Sequence, residues 1–255
     1  MFENYNEKDI SMTFVKGLEV LAAFNGRDRA MTIPDIATKT GLNRTVARRL
    51  VLTLQYLGYL ECSNRVYKLT PKILGLAGEF LQGRDIGKHV TPILRSYSQT
   101  LGDSISFAML DGVEAIYVAH SPGDPGMITQ GFTVGYRLPL HATGIGRVLV
   151  AFSPVDIQDQ LLQQAPRTAY TEATRTRIDD LRADLKKTRM NGYALVSNEF
   201  ERGVTSLAVP VMRSGQVLVG ALGIVGPTPR FEDANALFER VLMLRECAES
   251  IAVFA

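Results

Sequence analysis

Residues 32–57 read TIPDIATKTGLNRTVARRLVLTLQYL, and this run decides the fold of the first part of the chain. Thr32-Ile-Pro-Asp35 sets a hydroxyl, a proline in the first turn and a carboxylate three residues on, which is the pattern of a capping box. The short helix it opens carries Ile36 and Ala37 and stops at Gly41. Asn43 then caps a longer helix reaching about Leu57. On that helix Val46, Leu50, Leu54 and Leu57 share one arc, while Arg44, Thr45, Arg48 and Arg49 take the opposite one. Two helices across a glycine turn, the second apolar inward and rich in donors outward, satisfy the needs of a helix-turn-helix.

Upstream, Phe14, Leu18 and Leu21 recur at helical spacing with Val15 and Ala22 beside them. This predicts an amphipathic helix over 12–25, stopped by Gly26. Downstream, Tyr59–Cys62 and Val66–Leu69 flank Ser63-Asn64-Arg65 and read as a hairpin. A hairpin directly after a recognition helix is a wing, with Arg65 at its tip. The alternative, a small helical subdomain with an incidental hairpin, explains neither the element order nor the placement of charge.

The charge distribution agrees. The 255 residues sum to only +2, yet residues 1–84 hold 12 basic and 8 acidic side chains, and the other 171 hold 16 and 18. Within 29–72 there are eight basic residues against Asp35 and Glu61. Such clustering suits either an anionic polymer or a merely solvated face, and its place on a helix-turn-helix makes double-stranded DNA the expected partner. It disfavours a helix-turn-helix used purely for protein contact.

Composition narrows the rest. Cys62 and Cys247 belong to no Cys-x-x-Cys pair, which speaks against disulfides and a cysteine zinc site and for a reducing cytosol. The longest apolar run, 217–226, is half a membrane span, and the N-terminus lacks a signal core. A cytoplasmic protein without membrane contact is expected. Thr70-Pro71 starts a helix over 71–82 with Leu74, Ala77 and Leu81 on one face, suited to a linker, a dimer contact or packing on the second domain. A second helical segment runs from about Ile86 to Leu101.

From Ser104 the chain is strand-rich. Ser104–Leu110 and Val113–His120 join at Asp111-Gly112, and Tyr193–Ser197, Val204–Met212 and Val217–Val225 come later. Helices are predicted near Gly144–Phe152, Pro154–Gln163, Thr174–Asn191 and Glu232–Val253. Hairpins with segregated helices predict an α+β fold with an antiparallel sheet. The expected domains are a winged helix-turn-helix at 1–70, a linker helix at 71–84 and a second domain at 85–255.

Catalytic patterns are thin in that second domain. His89, His120 and His141 lack metal-ligand spacing, no Gly-x-Ser-x-Gly elbow exists, and Gly144-Ile-Gly146 lacks the third glycine of a dinucleotide loop. Glu199 and Glu201 resemble an acid/base pair but are expected to be solvated. No cofactor, metal or catalytic residue is expected, although an enzyme acting on a small carboxylic acid, with the head as regulator, stands as the alternative. A pocket is the stronger reading. Leu138-Pro-Leu-His-Ala-Thr-Gly-Ile-Gly146 runs from an extended segment into a helix, so Thr143, the first-turn amides and the helix dipole can receive an anion. Arg137 and His141 lie close by in sequence. The two glycines alternatively serve close helix-to-sheet packing, and Ser206 is either a ligand contact or satisfied by backbone.

Several of these stretches together resemble the IclR-type bacterial transcriptional regulators. They are FVKGLEVL from Phe14, RRLVLTLQYLG from Arg48, YKLTPK from Tyr67, the 138–146 run, and Gly192-Tyr193, Glu199, Gly203 and Ser206-Leu-Ala-Val-Pro210. The Arg-Leu-Pro start and the Gly-Arg-Val-Leu ending are closest to the PcaR/PcaU/PobR-like subfamily of aromatic-acid catabolism. The resemblance implies a homodimer or dimer of dimers, with a GAF-like second domain that binds a small organic acid of aromatic or β-ketoadipate type. By motif position it points to Gly144, Ile145, Val196, Ser206, Gly223 and Val225 as pocket residues. The apolar character of Val196 and Val225 and the bare Gly223 favour a partly apolar acid.

Overall fold

Helix starts in the first part of the chain fall on side chains able to satisfy free backbone amides. The computed structural model describes residues 7–25, 28–83, 86–124, 133–214 and 217–254. The chain divides into two units, Met1–Phe80 and Leu81–Ala255. In the first, Ser11 caps α1 (Met12–Ala22), and Thr32 and Asp35 close the capping box that opens α2 (Ile33–Thr40). Gly41 ends α2 at φ +67°, where a side chain would be strained. The Asn43 side-chain oxygen accepts from the Val46 amide at 2.9 Å and starts α3 (Arg44–Tyr56). The strands β1 (Leu60–Ser63) and β2 (Val66–Leu69) come next, joined through Asn64 and Arg65, both at positive φ as a two-residue hairpin turn of the primed type requires. Met31 and Tyr67 exchange backbone hydrogen bonds at 3.0 and 2.8 Å, which pins the loop before α2 to the wing.

Two apolar faces differ from expectation. On α1, Phe14 and Leu18 are exposed, and the core is instead filled by Val20, Ala23 and Phe24. The helix carries two apolar stripes, and a three-helix head has room to bury only one. It also ends at Ala22, and Gly26 lies outside the described residues. On α3 the inward arc is Ala47, Leu50, Val51 and Leu54, while Val46 is half-buried and Leu57 is exposed at the C-cap. The register is rotated by one residue, and the basic arc stays outward.

The helix predicted over 71–82 is α4 (Ile73–Gly83), with Leu74 and Ala77 exposed and Leu81 half-buried. In the second unit a π-helical turn, Ile86–Val90, leads into α5 (Thr91–Leu101). The strands β3 (Ile105–Asp111), β4 (Glu114–Ser121), β5 (Arg137–Pro139), β6 (Ala194–Ser197), β7 (Val204–Arg213) and β8 (Val217–Pro227) form one sheet. Its order is β5-β4-β3-β8-β7-β6, with every pair antiparallel. The helices are α6 (Gly144–Phe152), α7 (Val155–Gln164), α8 (Ile178–Asn191) and α9 (Ala234–Ala252). The fold is therefore α+β, as expected. Helix α8 starts four residues later than predicted because Thr171 and Thr174 spend their hydroxyls on a turn.

The two faces of the sheet differ in side-chain size. Phe107, Leu207, Val209, Leu222 and Ile224 pack with Leu94, Leu244 and Ile251 in one core. On the other face, cross-strand partners are small: Ser106 opposite Gly223, Ala108 opposite Ala221, Ala194 opposite Ala208, with Ser206 two residues along. This face meets α6 and α8 in a second core. Small residues let α6 approach the strands and leave a hollow beside it.

Candidate functional site

On α3 the four outward residues Arg44, Thr45, Arg48 and Arg49 are all exposed, and Arg65 is exposed at the wing turn. Among the described residues, none of these four arginines makes an ion pair. Each guanidinium therefore keeps its donors for an external anion, which suits phosphates and base edges. The hydroxyl of Tyr67 on β2 is pushed up by burial and by the facing Cys62, and the Arg48 guanidinium draws it part of the way back. The charge on α3 is thus felt at the wing.

In the second unit a cavity of about 160 Å³ opens beside the first turn of α6. Thr143, Ile145, Val196, Ser206, Gly223 and Val225 line it together with Tyr117, Tyr136, Phe200 and Glu201. A cavity of about 150 Å³ holds one benzene ring, so one ring fits. Thr143 caps α6: its hydroxyl accepts from the Gly146 amide at 3.0 Å and donates to the Pro139 carbonyl at 2.8 Å. The Gly144 amide donates to the Ser206 hydroxyl at 2.8 Å. With those two amides engaged, the Ile145 amide is the first-turn donor left without a partner among the described residues, at the positive end of the helix dipole.

The glycines have a packing role as well. A Cβ on Gly144 would meet the Ser206 carbonyl at 3.0 Å, one on Gly223 would meet Ile145 at 2.7 Å, and one on Gly146 would strike the Leu140 backbone. Packing and pocket are the same feature here, because the close approach is what brings the helix end to the hollow.

Arg137 and His141 lie off the cavity lining, and so does Gly144, which borders it only through its bond to Ser206. Arg137 sits on the edge strand β5 and pairs across the sheet with Asp111 and with Glu114, the latter at 3.2 Å. His141 is buried, its Nε2 bonded to the Thr168 carbonyl at 3.0 Å and its ring 5.9 Å from that of Tyr170. Burial holds its pKa below the usual histidine value, so the ring is neutral and Nε2 carries the proton as donor.

Glu199 corrects the sequence reading. It is buried rather than solvated, bonded to the Arg147 guanidinium at 2.7 Å and to the Arg175 guanidinium at 3.1 Å and backbone amide at 2.9 Å. Arg147, itself 1% exposed, also binds Asp184 and the His141 carbonyl. The burial arises from α6, which turns Arg147 toward the β6–β7 loop, 52 residues away in sequence. Glu201 is exposed at the cavity and engages no described side chain. Sequence reasoning misses Tyr117 and Phe200. Both sit close to informative stretches, Phe200 between the two glutamates and Tyr117 within the first hairpin. Burial raises the Tyr117 hydroxyl pKa, and a hydrogen bond with Ser106 opposes that shift.

Among the described residues no cluster of His, Cys, Asp or Glu has metal-binding geometry, and no helix is long and apolar enough to cross a membrane. Comparison with known proteins sets these sites in a family. Residues 13–62 match the IclR helix-turn-helix domain and residues 78–253 match the bacterial transcriptional regulator IclR C-terminal domain. The Pca operon regulatory protein of Acinetobacter baylyi is 35% identical over 239 residues, covering 92% of this chain and 86% of its own. The p-hydroxybenzoate hydroxylase transcriptional activator of the same species is 27% identical over 253 residues, covering 98% and 93%. The crystal structure of an IclR homolog from Microbacterium hydrocarbonoxydans, complexed with 4-hydroxybenzoate, has a TM-score of 0.76 at 25% identity, covering 94% of this chain and 98% of that one. These relatives are regulators, and nothing in them supports the enzyme alternative. The chain belongs to the IclR family of bacterial transcriptional regulators.

Proposed function

We propose that this regulator controls an aromatic-catabolism operon and that its effector is an aromatic monocarboxylic acid seated in the cavity beside α6. The observation that carries the reading is a one-ring hollow walled mostly by apolar and aromatic side chains, with polar groups from the helix end, the β6–β7 loop and the tyrosines Tyr117 and Tyr136. In this reading the carboxylate meets the Ile145 amide, the helix dipole and the Ser206 hydroxyl, whose own bond to the Val196 carbonyl is long at 3.4 Å, while Val196 and Val225 flank the ring over Gly223. The relatives named for the Pca operon and for p-hydroxybenzoate hydroxylase, and the homolog bound to 4-hydroxybenzoate, favour the same class of acid.

Arg44, Thr45, Arg48 and Arg49 face the major groove, Arg65 supports from the wing, and residues 1–70, 71–84 and 85–255 serve as head, linker and sensor. The protein works in the cytoplasm as a homodimer or dimer of dimers. The exposed Phe14 and Leu18 on α1 and Leu74 on α4 supply an apolar surface for that assembly. Acid binding shifts the population of head arrangements in the oligomer. A thermal-shift titration with 4-hydroxybenzoate tests the effector reading. At a hundredfold excess over Kd, binding adds about 2.7 kcal/mol, a rise in melting temperature of roughly 5–10 °C for a unit of this size. An unmoved midpoint across aromatic monoacids at millimolar concentration rejects it.

A further inference from the structure

Among the described residues that line the cavity, Glu201 is the single charged side chain. The neighbouring arginines are engaged elsewhere: Arg202 with Glu172 at 2.5 Å, and Arg175 with Asp184 at 3.0 Å and Glu199 at 3.1 Å. The loop that carries Glu201 is tied down on both sides. Asn198 sits at φ +62° and its side chain accepts from the Gly203 amide at 2.7 Å. The hydroxyls of Thr171 and Thr174 donate to the Asn198 and Glu199 carbonyls, each at 2.6 Å. The Glu199 carboxylate is anchored on Arg147, and the Phe200 ring stands edge-on to Tyr170 at 4.9 Å. A residue whose carboxylate has no partner among the described residues is therefore carried into the cavity lining by a fixed loop, while the donors of that lining come from the end of α6.

An ionised carboxylate only accepts hydrogen bonds. Toward a ligand hydroxyl it makes a charge-assisted bond, about twice as strong as a neutral one. Toward a second ligand carboxylate it presents a like charge, which disfavours binding. We propose that Glu201 is the specificity-determining residue of this cavity, accepting a hydrogen bond from a hydroxyl on the ring of the acid and turning away diacids. This rests on the aromatic-acid reading and goes beyond it, since the α6 end alone would take any monoacid or diacid of the right size.

The test uses three ligands of similar shape on the full-length chain: 4-hydroxybenzoate, benzoate and terephthalate, which puts a carboxylate where the first has its hydroxyl. Affinities are measured by calorimetry for the wild type, Glu201→Gln and Glu201→Leu, with melting temperature as the check on folding. Wild type is expected to prefer 4-hydroxybenzoate over benzoate by roughly 10–100-fold, the worth of a hydrogen bond to a charged group, and to bind terephthalate weakest. Glu201→Leu is expected to bring the hydroxyl preference to about one while leaving benzoate unchanged or tighter. Glu201→Gln, which still accepts through its amide oxygen, keeps part of that preference and gains roughly tenfold for terephthalate. If benzoate and 4-hydroxybenzoate bind wild type and Glu201→Leu with the same ratio, the role of Glu201 is overturned and the acid-binding cavity stands. If wild type binds none of the three, both readings fall together.

Discussion

Arginine does opposite work in the two units. In the first, Arg44, Arg48, Arg49 and Arg65 stand in solvent and, among the described residues, form no ion pair. In the second, Arg147 is buried against Glu199 and Asp184, and the half-exposed Arg175 binds the same two carboxylates. Sequence-wide charge cannot tell these apart, since both kinds count equally toward the +2 total. The difference lies in what surrounds the guanidinium. A paired arginine orders the protein's own loops, whereas an unpaired exposed one keeps its five donors for a partner.

The sharpest way to break this comparison is to remove a paired arginine. Arg147→Ala leaves Glu199 buried with part of its charge uncompensated, and breaking a buried pair on one side costs about 3–5 kcal/mol. For a unit of this size the melting temperature should fall by roughly 10 °C. A loss below about 1 kcal/mol in urea titration would mean that water or Arg175 replaces the lost partner, and that the network contributes little.

The matching change in the head should do the reverse. Arg48→Ala removes an exposed side chain, so stability should move by less than about 0.5 kcal/mol. Operator affinity should fall by about 1–3 kcal/mol if Arg48 reads a base edge. If it contacts only a phosphate, the slope of log affinity against log salt should flatten by about 0.9. Gel shifts at two salt concentrations separate the two cases. Unchanged affinity at both would remove α3 from the interface at that position.

The contrast also explains what the sequence could disclose. Capping signals are local, so Thr32, Asn43 and Thr143 were readable within a few residues of the helices they start. The outward arc of α3 was readable for the same reason, because four polar residues on one arc leave no alternative. The orientation of α1 was not readable, since Phe14/Leu18 and Val20/Phe24 are equally apolar stripes and only the third dimension ranks them. Glu199 and Arg137 fail for a further reason. The partner that buries Glu199 is 52 residues away, and those that hold Arg137 are 23 and 26 away. Proximity in sequence drew Arg137 toward the pocket, and sheet pairing placed it on the edge strand with carboxylates. The hollow itself comes from small residues on four strands, each unremarkable alone.

A smaller effect sets the neutral buried ring beside the buried charges. His141 is held neutral by burial, with its Nε2 proton donated to Thr168, so its folded pKa lies below its unfolded value of about 6.5. The unfolded chain then binds more protons through this window, and stability rises with pH. The contribution is fully present above about pH 6.5 and is lost as pH falls through the depressed folded value. His120 pulls the same way, because burial lowers its pKa too, with Nδ1 3.0 Å from the Ser106 hydroxyl. Urea unfolding at several pH values between about 5 and 7 should therefore show a falling midpoint on acidification. In His141→Gln the slope should shrink without vanishing, the remainder belonging to His120 and the carboxylates. Equal slopes in the two proteins would mean that His141 accepts its proton in the folded state at no cost, and that its burial is relieved by water.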